Sequence, residues 1–230
     1  MNKICENINF IRKTVESLKK QESVEIVAVT KTFPYDDVLQ ALNCGIKHIG
    51  ESKIQEALPK FEQIGSGLKS ITKHFIGHLQ SNKAKKAVEN FDLIHSLDSI
   101  DLAKDISRHA QNAQKTQNCL IEVKVSDEET KTGVRAGEIK KFYAQCLEIP
   151  NISIKGLMII TPLSRSPEDS RPYFKQIYDL FTVMQKSCGK DDFNILSMGM
   201  SDDYKIALEE GSNMVRIGSA IFGDRNYGNK

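Results

Sequence analysis

The chain has 230 residues, of which 40% are hydrophobic and 27% charged, with a formal charge of +2 at pH 7. That size and balance describe one globular domain and give no electrostatic ground for a nucleic-acid or membrane partner. Five cysteines, Cys5, Cys44, Cys119, Cys146 and Cys188, are far apart and form no C-x-x-C pair, which fits free thiols in a reducing cytoplasm better than a disulfide framework or a zinc site. The amino-terminal segment is charged and amphipathic, and no stretch approaches membrane-spanning length, so a soluble, cytoplasmic protein is expected.

Ile4, Ile8, Ile11, Val15 and Leu18 step by four and three, so the spacing predicts an amphipathic helix over 2–20. A buried strand over 24–30 follows, broken by Phe33-Pro34, with Lys31 at its C-terminal end. Further strands are predicted at 46–49, 72–76, 92–95, 118–125, 152–158, 193–197 and 213–217. Helical spacing fills the gaps, marked by Val38 and Leu42, Ile54 and Phe61, Ala84 and Val88, Leu102 and Ala110, and Ile139 and Cys146. A longer helix spans 167–186, with Pro167 near its start. Eight strands alternating with helices predict a parallel (β/α)8 TIM barrel with an extra N-terminal helix, a single domain over 1–230. A doubly wound open sheet is the alternative, but no G-x-G-x-x-G follows the first strand.

In such a barrel the strand ends build the site. A lysine there can pack its stem, lose its proton by desolvation and attack a carbonyl as a Schiff-base lysine, although a lysine after a strand is more often a solvated charge. Near the other end of the chain, 196–201 and 214–223 each leave a strand and enter a helix through small residues. Ser201, Gly218 and Ser219 there can present hydroxyls and backbone N–H groups to a phosphate. Each serine alone reads equally as a helix cap. Arg216 stands in an otherwise apolar strand, where it is inward and partnered, part of a structural ion pair, or outward-pointing.

His74 and His78 are four apart, but no carboxylate or cysteine at suitable spacing completes a metal site. His78 and Asn82 are expected at the mouth, Glu51 as a general base or a loop-fixing acceptor, and Lys131 and Gly133 in a rim loop.

Taken together, Val27 through Thr32, His48 through Glu51, His74 through Lys83, Gly156 through Met158, Leu196 through Ser201 and Val215 through Gly223 resemble the pyridoxal phosphate homeostasis proteins, whose barrel is similar to the N-terminal domain of alanine racemase. The resemblance covers nearly the whole chain. It implies pyridoxal 5'-phosphate (PLP) as cofactor, held as a Schiff base on Lys31. Ser201, Gly218 and Ser219 then look like its phosphate ligands, and Arg216 like the group facing the pyridine nitrogen. Ser52 and Thr30 depart from the family's usual asparagine and serine, and both keep a hydrogen-bonding side chain.

A guanidinium at the pyridine nitrogen hands over no proton, which leaves the ring a poorer electron sink. Racemisation also needs a second acid–base residue, and none is expected from a further domain, because the chain ends at Lys230 after the last barrel segment. The expectation is a monomeric PLP carrier serving vitamin B6 homeostasis, without efficient catalysis, passing its cofactor to apo PLP-dependent enzymes. The alternatives are a narrow-activity PLP-dependent amino-acid racemase and a Schiff-base aldolase acting on a sugar phosphate.

Overall fold

The computed structural model describes residues 3–125, 132–162, 165–188 and 193–224. Its strands are β1 (Glu25–Val29), β2 (His48–Glu51), β3 (Thr72–Phe75), β4 (Leu93–Leu97), β5 (Gln117–Lys124), β6 (Val134–Arg135), β7 (Ile152–Ile159), β8 (Ile195–Ser197) and β9 (Met214–Ile217). Every pairing is parallel. The order β4-β3-β2-β1-β9-β8-β7-β5 is closed by the β4–β5 pairing, and β6 is a two-residue addition to β5. The closed circuit is the expected eight-stranded barrel and rules out the open-sheet alternative. The strand predicted at 46–49 starts two residues later, and the one at 193–197 starts at Ile195.

Helices α1 (Lys3–Leu18), α2 (Tyr35–Asn43), α3 (Ile54–Ile64), α4 (Ala84–Asn90), α5 (Ile100–Asn112), α6 (Ile139–Leu147), α7 (Arg171–Cys188), α8 (Tyr204–Glu209) and α9 (Ser219–Phe222) surround the barrel. No helix of the described residues is long and apolar enough to cross a membrane. Strand alternation sorts the core into two layers. Ala28, Ile49, Val215 and Ile217 point outward and pack with Ile4, Ile8, Ile11 and Val15 of α1. Val27, Leu93, Leu120, Met158 and Met214 point inward and form an apolar layer in the lumen. Arg216 lies between the outward Val215 and Ile217, so it too faces the lumen.

Arg12 ties α1 to the end of α2 by donating to the carbonyls of Cys44 at 2.9 Å and Gly45 at 2.8 Å. The same packing joins Cys5 to Cys44 in a disulfide, with Cα atoms 5.5 Å apart. This corrects the expectation of five free thiols. The two cysteines are 39 positions apart in sequence, and only the docking of α1 beside α2 makes them neighbours. Cys119, Cys146 and Cys188 are free, as expected.

Between β5 and β7 the register slips, with Cys119 opposite Ile154 and Leu120 opposite Gly156. Gly156 has φ +150°, and a Cβ there would lie 1.8 Å from the carbonyl oxygen of Ile195 on β8. Only glycine lets the bulged strand keep its neighbour. Gly156→Ala combines a disfavoured backbone with a backbone clash and is expected to lower unfolding free energy by about 3 kcal/mol or more. Urea titration would read this directly, and a loss under about 1 kcal/mol would show that β8 can move aside.

Candidate functional site

Lys31 leaves β1 where Thr32 adopts a left-handed backbone with φ 69°. Thr30 is buried and donates to Glu51 Oε1 at 2.7 Å. Lys60 of α3 donates both to that carboxylate and, at 2.6 Å, to the Thr30 carbonyl. Burial pushes the Glu51 carboxyl up, and the Lys60 ammonium pulls it back. Glu51 is therefore a loop-fixing acceptor that sets the strand end carrying Lys31, and no proton-transfer role is needed to explain it. Threonine at position 30 keeps its hydroxyl in use. Lys60 went unnoticed in the sequence because a lysine on an amphipathic helix carries no signal of where its ammonium reaches.

Lys31 lines a cleft of about 540 Å³ at the C-terminal mouth, together with Ser52, Gly77, His78, Glu122 and Thr132. Gly77 is required here, since a Cβ would sit 2.2 Å from the Ser52 carbonyl oxygen. His78 is at the rim, 53% exposed, with Nδ1 3.6 Å from Asp98. Asn82 is exposed on the next turn. His74 is buried and bonded to two other histidines, so it shares no metal with His78. No group of three or more His, Cys, Asp or Glu side chains among the described residues is placed to hold a metal ion. Gly133 has φ +117°, and Lys131, expected with it in a rim loop, lies outside the described residues.

The second half of the site stands on β8 and β9, beside β1. Asp203 organises the loop after β8 by accepting from the Met200 N–H at 2.7 Å, while its other oxygen accepts from Thr161 at 3.0 Å and Ser170 at 3.1 Å. Gly199, with φ +93°, carries the chain past α8, where a Cβ would meet Ala207 at 2.5 Å. Ser201 Oγ accepts from the N–H groups of Gly218 at 3.1 Å and Ala220 at 3.2 Å. The serine and the turn after β9 are thus one assembly. Ser201 caps the turn, as one of its two expected readings had it, and Ser219 stands exposed at the start of α9. A Cβ on Gly218 would lie 3.5 Å from Val29 Cβ, so this turn is packed against the end of β1 two residues before Lys31. Ser201, Gly218 and Ser219 are not among the residues lining the Lys31 cleft.

Arg216 is buried in the lumen. It donates through Nη1 to the Ser197 carbonyl at 2.9 Å and hydroxyl at 2.7 Å, and through Nη2 to the Ile159 carbonyl at 2.8 Å. The structure therefore sets aside the outward-pointing and ion-pair readings of this arginine. Burial lowers its pKa to about 10, with Asp203 and Glu122 acting in the opposite direction. It remains a cation at neutral pH. Neutral oxygens hold it across the ends of β7 and β8, so its charge is available to a ligand.

Residues 1–226 match the family model described as alanine racemase, N-terminal domain. At 40% identity, the chain matches a protein of Aquifex aeolicus named "Pyridoxal phosphate homeostasis protein", over 97% of this chain and 99% of that one. A Synechocystis protein of the same name is 42% identical over 88% of this chain and 92% of its own. The chain belongs to this pyridoxal phosphate homeostasis family within the alanine racemase N-terminal class. The structure of PipY from Synechococcus elongatus without PLP superposes with a TM-score of 0.87 at 33% identity, covering 96% of this chain and all of that one. PipY with PLP bound gives 0.85 at 32%, with the same coverage. Alanine racemase of Clostridium difficile, 14% identical with a TM-score of 0.71, shares the fold over 98% of this chain and 57% of its own.

Proposed function

We propose that this chain binds PLP at the C-terminal mouth of the barrel and serves PLP homeostasis, with residues 1–230 acting as one cofactor-binding unit. Lys31 Nζ holds the cofactor covalently as a Schiff base. Ser201, Ser219 and the backbone N–H of Gly218 hold its phosphate, and Arg216 faces the pyridine nitrogen. The observation that carries this reading is the convergence of Lys31, the Gly218 turn and Arg216 on the adjoining ends of β1, β8 and β9. The PLP-bound neighbour supports it.

When bound, the cofactor supplies an aldehyde that an amine captures and a ring that draws electrons from attached carbon. The chain's own groups do four things. Glu51, Lys60 and Thr30 fix the strand end from which Lys31 reaches the cleft. The N–H groups of Gly218 and Ala220 donate to Ser201 Oγ in this structure, and they turn to an anion only as that hydroxyl shifts to donate to it as well. Arg216 orients the ring but keeps its own proton. His78 and Thr132 line the open rim. Arg216, the group assigned to the ring nitrogen, hands over no proton, which supports a carrier without efficient turnover. We further propose that the protein acts as a cytoplasmic monomer and that apo PLP-dependent enzymes receive the cofactor.

The test is an absorbance titration with PLP, followed by borohydride reduction and peptide mass mapping. A visible absorbance band replaced by one stable adduct on Lys31 is expected. A protein that stays colourless and unmodified overturns the reading. Ser201→Ala combined with Ser219→Ala is expected to speed PLP loss on dialysis while adduct formation on Lys31 persists. Unchanged retention would remove the phosphate assignment.

A further inference from the structure

Six residues are hydrogen-bonded in one unbroken series from the N-terminal rim of the barrel into its lumen. Glu25 Oε2 lies 2.8 Å from His48 Nε2. His48 Nδ1 lies 3.0 Å from His74 Nε2, and His74 Nδ1 lies 2.8 Å from His95 Nε2. His95 Nδ1 lies 3.2 Å from Ser197 Oγ, which receives the Arg216 Nη1 bond at 2.7 Å. The series starts on the first residues of β1 and β2 and ends on the last residue of β8 and on β9. Its outer end opens on a cavity of about 320 Å³ at the N-terminal mouth, lined by Glu25, His48 and His74. Its middle, His74, His95 and Ser197, is buried.

The carboxylate end sets one direction throughout, and the guanidinium end is compatible with it. A guanidinium only donates, and an ionised carboxylate only accepts. Ser197 Oγ accepts from Arg216, so its own hydrogen is free for His95 Nδ1. His95 then carries its proton on Nε2 and donates to His74 Nδ1. The same logic makes His74 donate to His48 and His48 donate to Glu25. One set of tautomers, Nε2–H on all three imidazoles, satisfies every bond. Chains of aligned hydrogen bonds strengthen one another in a dry interior. The hydrogen bond from His48 also holds the Glu25 carboxyl below the usual carboxylate range, which keeps it an acceptor.

We propose that Glu25, His48, His74, His95 and Ser197 form a one-way relay that locks the Ser197 lone pair toward Arg216, so that a carboxylate at the far mouth of the barrel positions the cation facing the cofactor ring. No net proton moves, and all five are positioning residues. The role at the ring rests on the function proposed above; the relay itself does not. The other charged groups around its open end are Arg12, Glu16 and Lys47 on one side, and Asp92 with its partner Lys73, and Lys155, on the other. None of them takes a bond from the three imidazoles among the described residues.

The test uses the full chain with ¹⁵N-labelled histidine, first without cofactor. At neutral pH all three imidazoles are expected as Nε2–H tautomers, and Nδ1–H on any of them would overturn the relay. Glu25→Gln places a group that donates as well as accepts at the half-exposed end. His95, two imidazoles away, is then expected to shift toward a tautomer mixture while the melting temperature holds. A change confined to His48 would show that the contacts are merely structural. Ser197→Ala cuts the other end and should loosen His48 in the same way; an unmoved His48 there counts against coupling. With PLP added, Glu25→Gln is expected to shift the bound cofactor's absorbance band, and an unmoved band would remove the link to the ring. Failure of the wild-type chain to bind PLP would sink the function proposed above, while the histidine spectra still decide the relay.

Discussion

Lys31→Ala is expected to reduce the borohydride-trapped adduct from one per chain to none. The reason is chemical: Lys60 is tied to Glu51 and the Thr30 carbonyl, Lys124 lines the cleft from β5, across the barrel from β1, and the groups assigned to the cofactor otherwise hold only a phosphate and a ring. Non-covalent PLP binding through Ser201, Gly218, Ser219 and Arg216 is expected to persist, weaker and with faster dissociation. The variant should keep its stability to within about 1 kcal/mol, because Lys31 sits in a partly exposed turn outside the apolar layers. Mass spectrometry after reduction, alongside a thermal melt, separates the outcomes. A full adduct on another lysine would reassign the site. Wholesale unfolding would instead make Lys31 a structural residue.

The second large effect is on stability in acid. Burial, followed by the nearby His48, lowers the His74 pKa to about 3. Burial, then His74 and Arg216, holds His95 well below its ordinary value. In the unfolded chain both titrate near 6.5. Between about pH 6.5 and 3 the unfolded state therefore binds more protons than the folded state, and unfolding free energy falls as pH falls. Each histidine contributes a slope of about 1.4 kcal/mol per pH unit once its unfolded form is fully protonated, or about 2.7 for both. Glu51, Asp98 and Glu122, whose pKa values burial raises, act with the opposite sign and blunt the slope. Urea unfolding at pH 7.5, 6.5, 5.5 and 4.5 is expected to show a plateau followed by a loss of a few kcal/mol. Constant stability from 6.5 to 4.5 would mean that the folded interior accepts the protons.

Periodicity made the fold legible. Steps of four and three marked the inner face of α1, and apolar runs broken by polar turns marked the barrel strands. Where the edges slipped, the cause was local. Ile46 is apolar and buried but lies in the approach to β2, and Gly50-Glu51, which look like a turn, extend that strand. The candidate site was legible wherever a residue's chemistry is unusual for its place, as with Lys31 at a strand end or Arg216 among apolar neighbours. It was illegible wherever register supplied the meaning. His48, His74 and His95 sit on three strands, 26 and 21 residues apart, and nothing in the chain says that β2, β3 and β4 will align them. Ser197 reads as a strand residue until β9 brings Arg216 beside it. Cys5 and Cys44 pair for the same kind of reason, through helix docking that spacing does not encode.

Strand β1, which leads to the candidate lysine, finds its β9 neighbour only when nearly all of the chain has been made. Most barrel contacts of that pair are therefore remote in sequence, which makes closure a late folding event. A nascent chain emerging from the ribosome exposes Lys31 long before Ser201, Arg216 or Gly218 exist. During synthesis that amine is an ordinary lysine. On the function proposed above, capture of a reactive aldehyde at this site is postponed until translation has delivered the last strand, and a prematurely terminated product has the hook without the anchor.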